Sequence, residues 1–331
     1  MRAWQIRRHG EPGEALELVE TPLPEPAPGE LRVRVDAAAL GLPDVFMSRG
    51  SYAFKPSLPA TPGQEVCGSV TAVGEGVSVS PGERVMAVTS FFRGHGGLAE
   101  EALALEAASY PVPASMDAAA AASFVIPYHT AYLGLVTRGR LSAGETLLVL
   151  GAAGGTGTAA VALGRALGAR VIAVAGGEEK VAACRRLGVD WAIDHRAGDL
   201  AAAVNQVTEG RGADVIYDPV GGDAFKAALG CIASEGRLLA IGYASGVWGD
   251  ASTRLLVGKN ASVVGVFVGA YTKPFLSEVH ERLLDLWRAG AIGSLVSREV
   301  AFEEIPAALG ELAERRATGR LVVRMTGAAG F

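Results

Sequence analysis

Cysteine is scarce in this 331-residue chain: Cys67, Cys184 and Cys231 are far apart and odd in number. That excludes a disulfide framework and a paired-cysteine zinc knuckle, and it marks all three as small buried apolar residues. Long apolar runs are also missing. The most apolar stretch, residues 118–136, is broken by Pro127, Tyr128 and His129, so nothing reaches the roughly 18 uninterrupted residues of a membrane-spanning helix. Basic charge is not in excess. With 30 Lys and Arg against 35 Asp and Glu, the net charge of −5 leaves no electrostatic footprint for nucleic acid. A Gly-x-Ser-x-Gly elbow is absent, which excludes the usual serine-hydrolase arrangement. The opening Met1-Arg2-Ala3-Trp4-Gln5-Ile6-Arg7-Arg8 alternates as a strand does and lacks the apolar core of a signal peptide, so a cytoplasmic location is expected.

Glycine, at 44 residues, is plentiful. The most informative cluster is Gly151-Ala152-Ala153-Gly154-Gly155-Thr156-Gly157, directly after the apolar run Leu147-Leu148-Val149-Leu150 and before a helical stretch over 158–167. Strand, glycine turn and helix in that order aim backbone N–H groups and a helix N-terminus at a diphosphate, so a dinucleotide site is expected. The turn reads Ala152-x-Gly154-x-x-Gly157, with alanine at the first glycine of the fingerprint. About 20 residues on, a site for NAD places Asp or Glu at the end of the second strand to bind the ribose 2′-OH. This strand ends in Ala175-Gly176-Gly177, and Lys180, His195 and Arg196 follow. No carboxylate would repel a 2′-phosphate there, which favours NADPH over NADH. The same cations beside Glu178 and Glu179 also admit a plainer reading as solvated surface.

The length suggests two domains. Over residues 1–126 short strand-like runs, such as 31–35 and 85–88, alternate with Pro/Gly turns at 22–29 and 81–82, the pattern of an antiparallel β domain. From residue 146 strands alternate with helices, at 147–150, 171–175, 191–194, 215–218, 238–241 and 263–268. Six parallel strands with intervening helices make an α/β doubly wound Rossmann sheet. An amphipathic helix around 276–289 and a final strand at 321–324 are assigned back to the first domain. The expected division is therefore 1–126 with 271–331, and 127–270, with substrate at the carboxyl ends of the parallel strands in the cleft between domains.

The run Gly63-Gln64-Glu65-Val66-Cys67-Gly68-Ser69-Val70-Thr71-Ala72-Val73-Gly74, then Pro81-Gly82-Glu83-Arg84-Val85, together with the Rossmann turn, resembles the medium-chain dehydrogenase/reductases over essentially the whole chain. The resemblance implies a GroES-like first domain. Where zinc alcohol dehydrogenases of that family carry Gly-His-Glu, Gln64 replaces the zinc-binding His; Gly41 occupies the cysteine-ligand position, and the four-cysteine structural-zinc lobe is missing. No metal is expected. Asp44, Arg49-Gly50-Ser51-Tyr52, Gly96-Gly97-Leu98-Ala99-Glu100, Asp218-Pro219-Val220-Gly221-Gly222, Ile241-Gly242-Tyr243-Ala244 and Ala317-Thr318-Gly319-Arg320 narrow the likeness to the zinc-free quinone oxidoreductase (zeta-crystallin-like) branch. That branch implies Tyr52 and Thr130 flanking the nicotinamide. It implies Ala153, Gly154, Gly155, Thr156 and Gly157 at the diphosphate, Gly176, Lys180, His195 and Arg196 at the adenosine end, and Ile241, Gly242, Tyr243, Ala244, Val266 and Phe267 on the nicotinamide side. Many relatives place Asn where Gly41 stands. A homodimer, paired through the apolar last strand over 261–270, is implied as well.

A metal-free site that holds an electron-poor small molecule over NADPH suits quinones, α,β-unsaturated carbonyls or enoyl thioesters, which delocalise incoming charge without a Lewis acid. Tyr52, Tyr128, His129 and solvent are the candidate proton donors. Asp44 and Glu65 read as carboxylates that hold loops, and His9, His95 and His280 as surface residues. The alternative from another class is an NADPH-binding structural or sensing protein with little catalysis.

Overall fold

The structure, a computed structural model, describes residues 1–325, which divide into two compact units. The first takes in Met1–Ile126 and the chain from Ser294 on; the second is Pro127–Gly293.

In the first unit a hairpin of β1 (Arg2–Ile6) and β2 (Leu16–Glu20) precedes β3 (Glu30–Leu40), β4 (Glu65–Val73), β5 (Arg84–Thr89) and β6 (Glu101–Pro111). Strands β3 to β6 pair antiparallel in sequence, and β6 also pairs back onto β3, so the four close into a ring. The long strand β3, paired with both β4 and β6, turns Leu31, Val33, Val35 and Leu40 into the core with Val66, Leu98 and Ala102. One glycine of β4 is sterically required: a Cβ at Gly68 would stand 1.9 Å from the Arg34 carbonyl oxygen.

The second unit is built on β7 (Thr146–Val149), β8 (Arg170–Ala175), β9 (Trp191–Asp194), β10 (Ala213–Asp218), β11 (Ile232–Ala240) and β12 (Ser262–Gly265). All pair parallel in the order β12-β11-β10-β7-β8-β9, which reverses between β7 and β10. This is the doubly wound sheet expected from the alternating pattern. Leu147, Leu148 and Val149 are fully buried, as a central strand covered by helices on both faces requires. The chain then returns to the first unit as β13 (Val296–Ala301) and β14 (Arg320–Arg324), β14 pairing antiparallel with β3.

Three expectations need correction. The return comes at Ser294 rather than residue 271, because the helix Lys273–Arg288 buries Leu276, Val279, Leu283 and Leu284 in the second unit. The Tyr128 hydroxyl also donates to the Gly293 carbonyl there at 2.6 Å. The last strand stops at Gly265; Val266 and Phe267 lie beyond it, before the short turn Val268–Ala270, consistent with the weak strand-forming tendency of glycine. His280 is not a surface residue. It is buried against His129, ring nitrogens 3.0 Å apart. The three cysteines are free and buried as anticipated, and no helix among the described residues is long and apolar enough to cross a membrane.

Burial depresses the pKa of His129 to about 3 and that of His280 to about 4, so both are neutral in the folded state. The unfolded chain, with histidines near 6.5, binds more protons below that pH, and stability must fall on acidification from there towards the folded values. Of order 2 kcal/mol per histidine is at stake between pH 6.5 and 5. Thermal melts over that range are expected to show a smaller loss in H129Q/H280Q than in the unsubstituted protein; equal losses would refute it.

Candidate active site and dinucleotide site

In the second unit the residues singled out for the dinucleotide gather at the carboxyl ends of β7, β8, β10 and β11. After β7 the chain turns through Gly151, whose φ of +58° suits glycine, and the helix Gly155–Ala166 starts at once with Gly154 as its N-cap. No side chain caps it, so the first-turn N–H groups of Gly155, Thr156 and Gly157 lack intrahelical partners and point outward. Gly157 is required for close packing: a Cβ would lie 2.3 Å from the Gly151 carbonyl oxygen. At Gly154 an added Cβ would meet only that oxygen, at 3.4 Å, so the turn stays open above its backbone. Ala153 is buried beside it, and Gly154, Gly155 and Thr156 are half-exposed. The site thus has the form of an anion cradle.

At the end of β8 the missing side chain of Gly176 lets the ends of β8 and β9 converge. Its ideal Cβ position lies 2.7 Å from His195 Nε2 and 2.9 Å from Arg196 Nε. Both side chains are exposed and make no hydrogen bond or ion pair among the described residues. Lys180 stands on the helix Glu178–Arg186 behind Gly177. Sequence reasoning missed Asp194, the last residue of β9, which brings a carboxylate to this corner after all. Its Oδ1 accepts from the N–H of Gly177 at 3.0 Å and of Arg196 at 2.9 Å, and these backbone bonds hold its pKa below the ordinary value. Arg196 is thereby positioned.

The turn after β10 is fixed in the same way by buried Asp218, whose Oδ1 accepts from Val220 N at 2.7 Å and Gly221 N at 3.0 Å. Burial raises its pKa, against those two bonds. Ile241 N and Gly242 N donate to the Asp218 carbonyl and Ala244 N to that of Pro219, which brings these residues beside the 218–221 turn. Tyr243 packs on Trp248 with ring centroids 4.4 Å apart. Val266 is buried and extends the β11 ladder through its N–H to the Ala240 carbonyl; Phe267 is exposed. Thr130 lies buried on the helix Val125–Tyr132 of the same unit.

Tyr52 belongs to the first unit. Its hydroxyl accepts from Gln64 Nε2 at 3.1 Å, and its ring packs near Phe54 and Phe91 at centroid distances of 5.9 and 6.3 Å. Asp44 is buried, with Oδ2 accepting from Gly41 N and Oδ1 from Gly63 N, each at 2.8 Å. Glu65, also buried, accepts from Ile126 N at 2.7 Å and is ion-paired with Arg320. Both carboxylates hold chain segments as the sequence suggested. Burial raises Asp44 to about 6 and Glu65 to about 7, with Arg320 pulling the other way on both. Elsewhere in this unit Arg49 pairs with Glu11 and Arg93 with buried Glu30.

Residues 27–114 match the alcohol dehydrogenase GroES-like domain and residues 155–286 the domain described as zinc-binding dehydrogenase. A quinone oxidoreductase-like protein 2 homolog of Nematostella vectensis is 35% identical over 300 residues, 89% of this chain and 81% of the relative. The crystal structure of a probable oxidoreductase from Mycobacterium abscessus superposes with a TM-score of 0.85 at 36% identity, covering 98% of each chain. Escherichia coli quinone oxidoreductase, complexed with NADPH, gives 0.88 at 26% identity over 98% of this chain and all of that one. The chain belongs to the medium-chain dehydrogenase/reductases, in their quinone oxidoreductase branch. It is an oxidoreductase of that family.

As a family member it departs from the zinc-binding description of its second domain. Gly41 offers no donor, the Gln64 amide is bonded to Tyr52, and Glu65 is taken up by Arg320. Cys67 is fully buried, its thiol pushed up to about 12 by desolvation. Among the described residues no three His, Cys, Asp or Glu side chains are grouped to hold a metal ion, so the residues present do not fit zinc.

Removing the carboxylate from Glu65 strands a largely buried guanidinium and the Ile126 N–H. Urea unfolding of Glu65→Leu is expected to show a loss of about 3–5 kcal/mol; a loss under 1 kcal/mol would mean that the pair contributes little.

Proposed function

We propose that this oxidoreductase uses NADPH to reduce quinones or α,β-unsaturated carbonyls without a metal ion. The observation that carries the proposal is the pair Gly41 and Gln64 at the metal-ligand positions of zinc-dependent relatives, with the neighbouring acid already engaged by Arg320. An acceptor that delocalises negative charge itself does not need the Lewis acid these residues cannot hold. The NADPH complex of the Escherichia coli relative supports the cofactor.

The open cradle at Gly154 and the first-turn N–H groups fit a diphosphate, so Ala153, Gly154, Gly155, Thr156 and Gly157 would hold it. Arg196 and His195, whose side chains make no hydrogen bond or ion pair among the described residues, and Lys180 would take the 2′-phosphate, with Gly176 giving the room. Ile241, Gly242, Tyr243, Ala244, Val266 and Phe267 would line the nicotinamide, with Thr130. When bound, NADPH supplies a hydride. Tyr52, oriented by Gln64, positions the acceptor, and its hydroxyl or water returns the second proton. Tyr128 is discounted as donor because its proton is committed to the Gly293 carbonyl, and His129 because it is buried and neutral.

The acceptor residues thus belong to the first unit and the dinucleotide residues to the second. A cytoplasmic homodimer completes the proposal: β12 is an edge strand with Val263 exposed, as is Phe267 just beyond it, and such an edge invites pairing with a second copy. Sedimentation as a monomer at micromolar concentration would contradict that part.

Following absorbance loss of NADPH and NADH with 1,4-benzoquinone, 9,10-phenanthrenequinone or a simple alkenal tests the central reading. Acceptor-dependent oxidation is expected, at least about tenfold faster with NADPH, and Arg196→Glu should abolish that preference. Tight NADPH binding with no turnover on any acceptor would replace the enzyme with a sensing protein.

A further inference from the structure

The strand register puts Arg320 directly beside Gly41. Leu321 of β14 faces Leu40 of β3, and one step further the same register sets Arg320 opposite Gly41. On the other flank Glu65 of β4 faces Ala39. Ala39 of β3 and Gly41, one residue past its end, lie two apart along the extended chain, and neither has a side chain beyond a methyl group. The Arg320 side chain crosses this low strip to reach Glu65 through Nη2. Its Nε is buried without a hydrogen-bond partner, whereas Nη1 makes no hydrogen bond among the described residues and retains access to solvent. Nη1 lies 3.4 Å from the point where a Cβ on residue 41 would stand. The Gly41 backbone, at φ −148° and ψ 165°, is extended, a conformation open to any residue, and a Cβ there would press on Pro43 Cδ at 3.2 Å. The effect of the glycine is to leave a notch over the guanidinium.

We infer that Arg320 Nη1, uncovered by the absent side chain of Gly41, is the hydrogen-bond donor to the carbonyl or quinone oxygen of the acceptor. This rests on the reduction proposed above. The chemistry selects a neutral oxygen: Glu65 and Asp44, whose Oδ2 lies 3.8 Å from the same Cβ position, outnumber the guanidinium and disfavour a carboxylate or phosphate ligand. A carbonyl oxygen arrives uncharged and gains negative charge only as the acceptor takes up two electrons with the hydride; NADPH is oxidised, and a proton from water or Tyr52 completes the reduction. The charge develops beside a donor that is already oriented and held by Glu65, so the interaction strengthens along the reaction. A fixed cation of the chain stands in for a metal.

The test uses the full-length protein, with acetophenone as a carbonyl ligand that carries no conjugated alkene to reduce, and reads its C=O stretch by difference infrared spectroscopy. In the unsubstituted protein the stretch is expected to move to lower wavenumber on binding. That shift should vanish in Arg320→Lys, which keeps the charge facing Glu65, and binding should weaken about 10- to 100-fold in Gly41→Val, which fills the notch. The kcat/KM for the quinone should fall by a similar factor in both variants with the Kd for NADPH unchanged. Should Arg320→Lys fail to fold, Gly41→Val and the unsubstituted spectrum still decide. An unshifted stretch in the unsubstituted protein, or undiminished ketone affinity in Gly41→Val, overturns the inference. Absence of turnover on every acceptor, with the shifted stretch present, overturns the proposed reaction and leaves the oxygen site standing.

Discussion

Glu65 is a carboxylate almost wholly removed from water, and the first unit is organised around the need to satisfy it. Burying such a charge is costly unless it is paired and hydrogen-bonded. Arg320 arrives from the last strand and the Ile126 N–H from the end of the unit's first segment, so segments about 60 and 255 residues away converge on one side chain. The small residues Ala39 and Gly41 let the pair form across β3. Asp44, clamping the backbones of Gly41 and Gly63, fixes the rim of the same place. This corner has the carboxylates of a metal-site neighbourhood with an arginine as its cation, and the redox chemistry proposed for the protein follows from that exchange.

The second unit uses its acids differently. Asp194 and Asp218 each turn an oxygen onto two successive or nearby backbone N–H groups, and so fix the turns at the ends of β9 and β10. Both carboxylates are thereby tied to the peptide backbone, while the Arg196 and His195 side chains make no hydrogen bond among the described residues. The helix start at Gly155 adds N–H groups at no cost in side-chain order. The anion recognition proposed for this unit would rest on geometry that glycine permits at Gly154, Gly157 and Gly176, with the cations adding to it.

Much of this architecture is legible in sequence because it is local. The apolar run at 147–150, the glycine turn and the following helix lie within about 20 residues, and all six parallel strands stand where apolar runs alternate with helical stretches. Gly157 and Gly176 could be weighted as glycines of close approach without coordinates. What escapes is long-range or depends on where a side chain turns. Arg320 stands in a recognised terminal motif, yet nothing in 1–319 announces that its guanidinium crosses β3 to Glu65. His280 sits on an amphipathic helix at a position that could face either way, and its meeting with His129, 151 residues earlier, is a matter of packing. Asp194 was legible only as the last residue of a strand; its turn back onto Gly177 is a contact between neighbouring strands. The boundary at Ser294 depended on which sheet the helix Lys273–Arg288 covers, and its own periodicity is silent on that.

The central claim is hydride transfer from NADPH to a conjugated acceptor without a metal, and the most direct measurement is turnover after exhaustive metal removal. Protein dialysed against a strong chelator, its metal content checked by elemental analysis, would be assayed for NADPH oxidation with 9,10-phenanthrenequinone. The account predicts an undiminished rate with metal far below one ion per chain. Loss of activity on chelation that returns with stoichiometric zinc would contradict it.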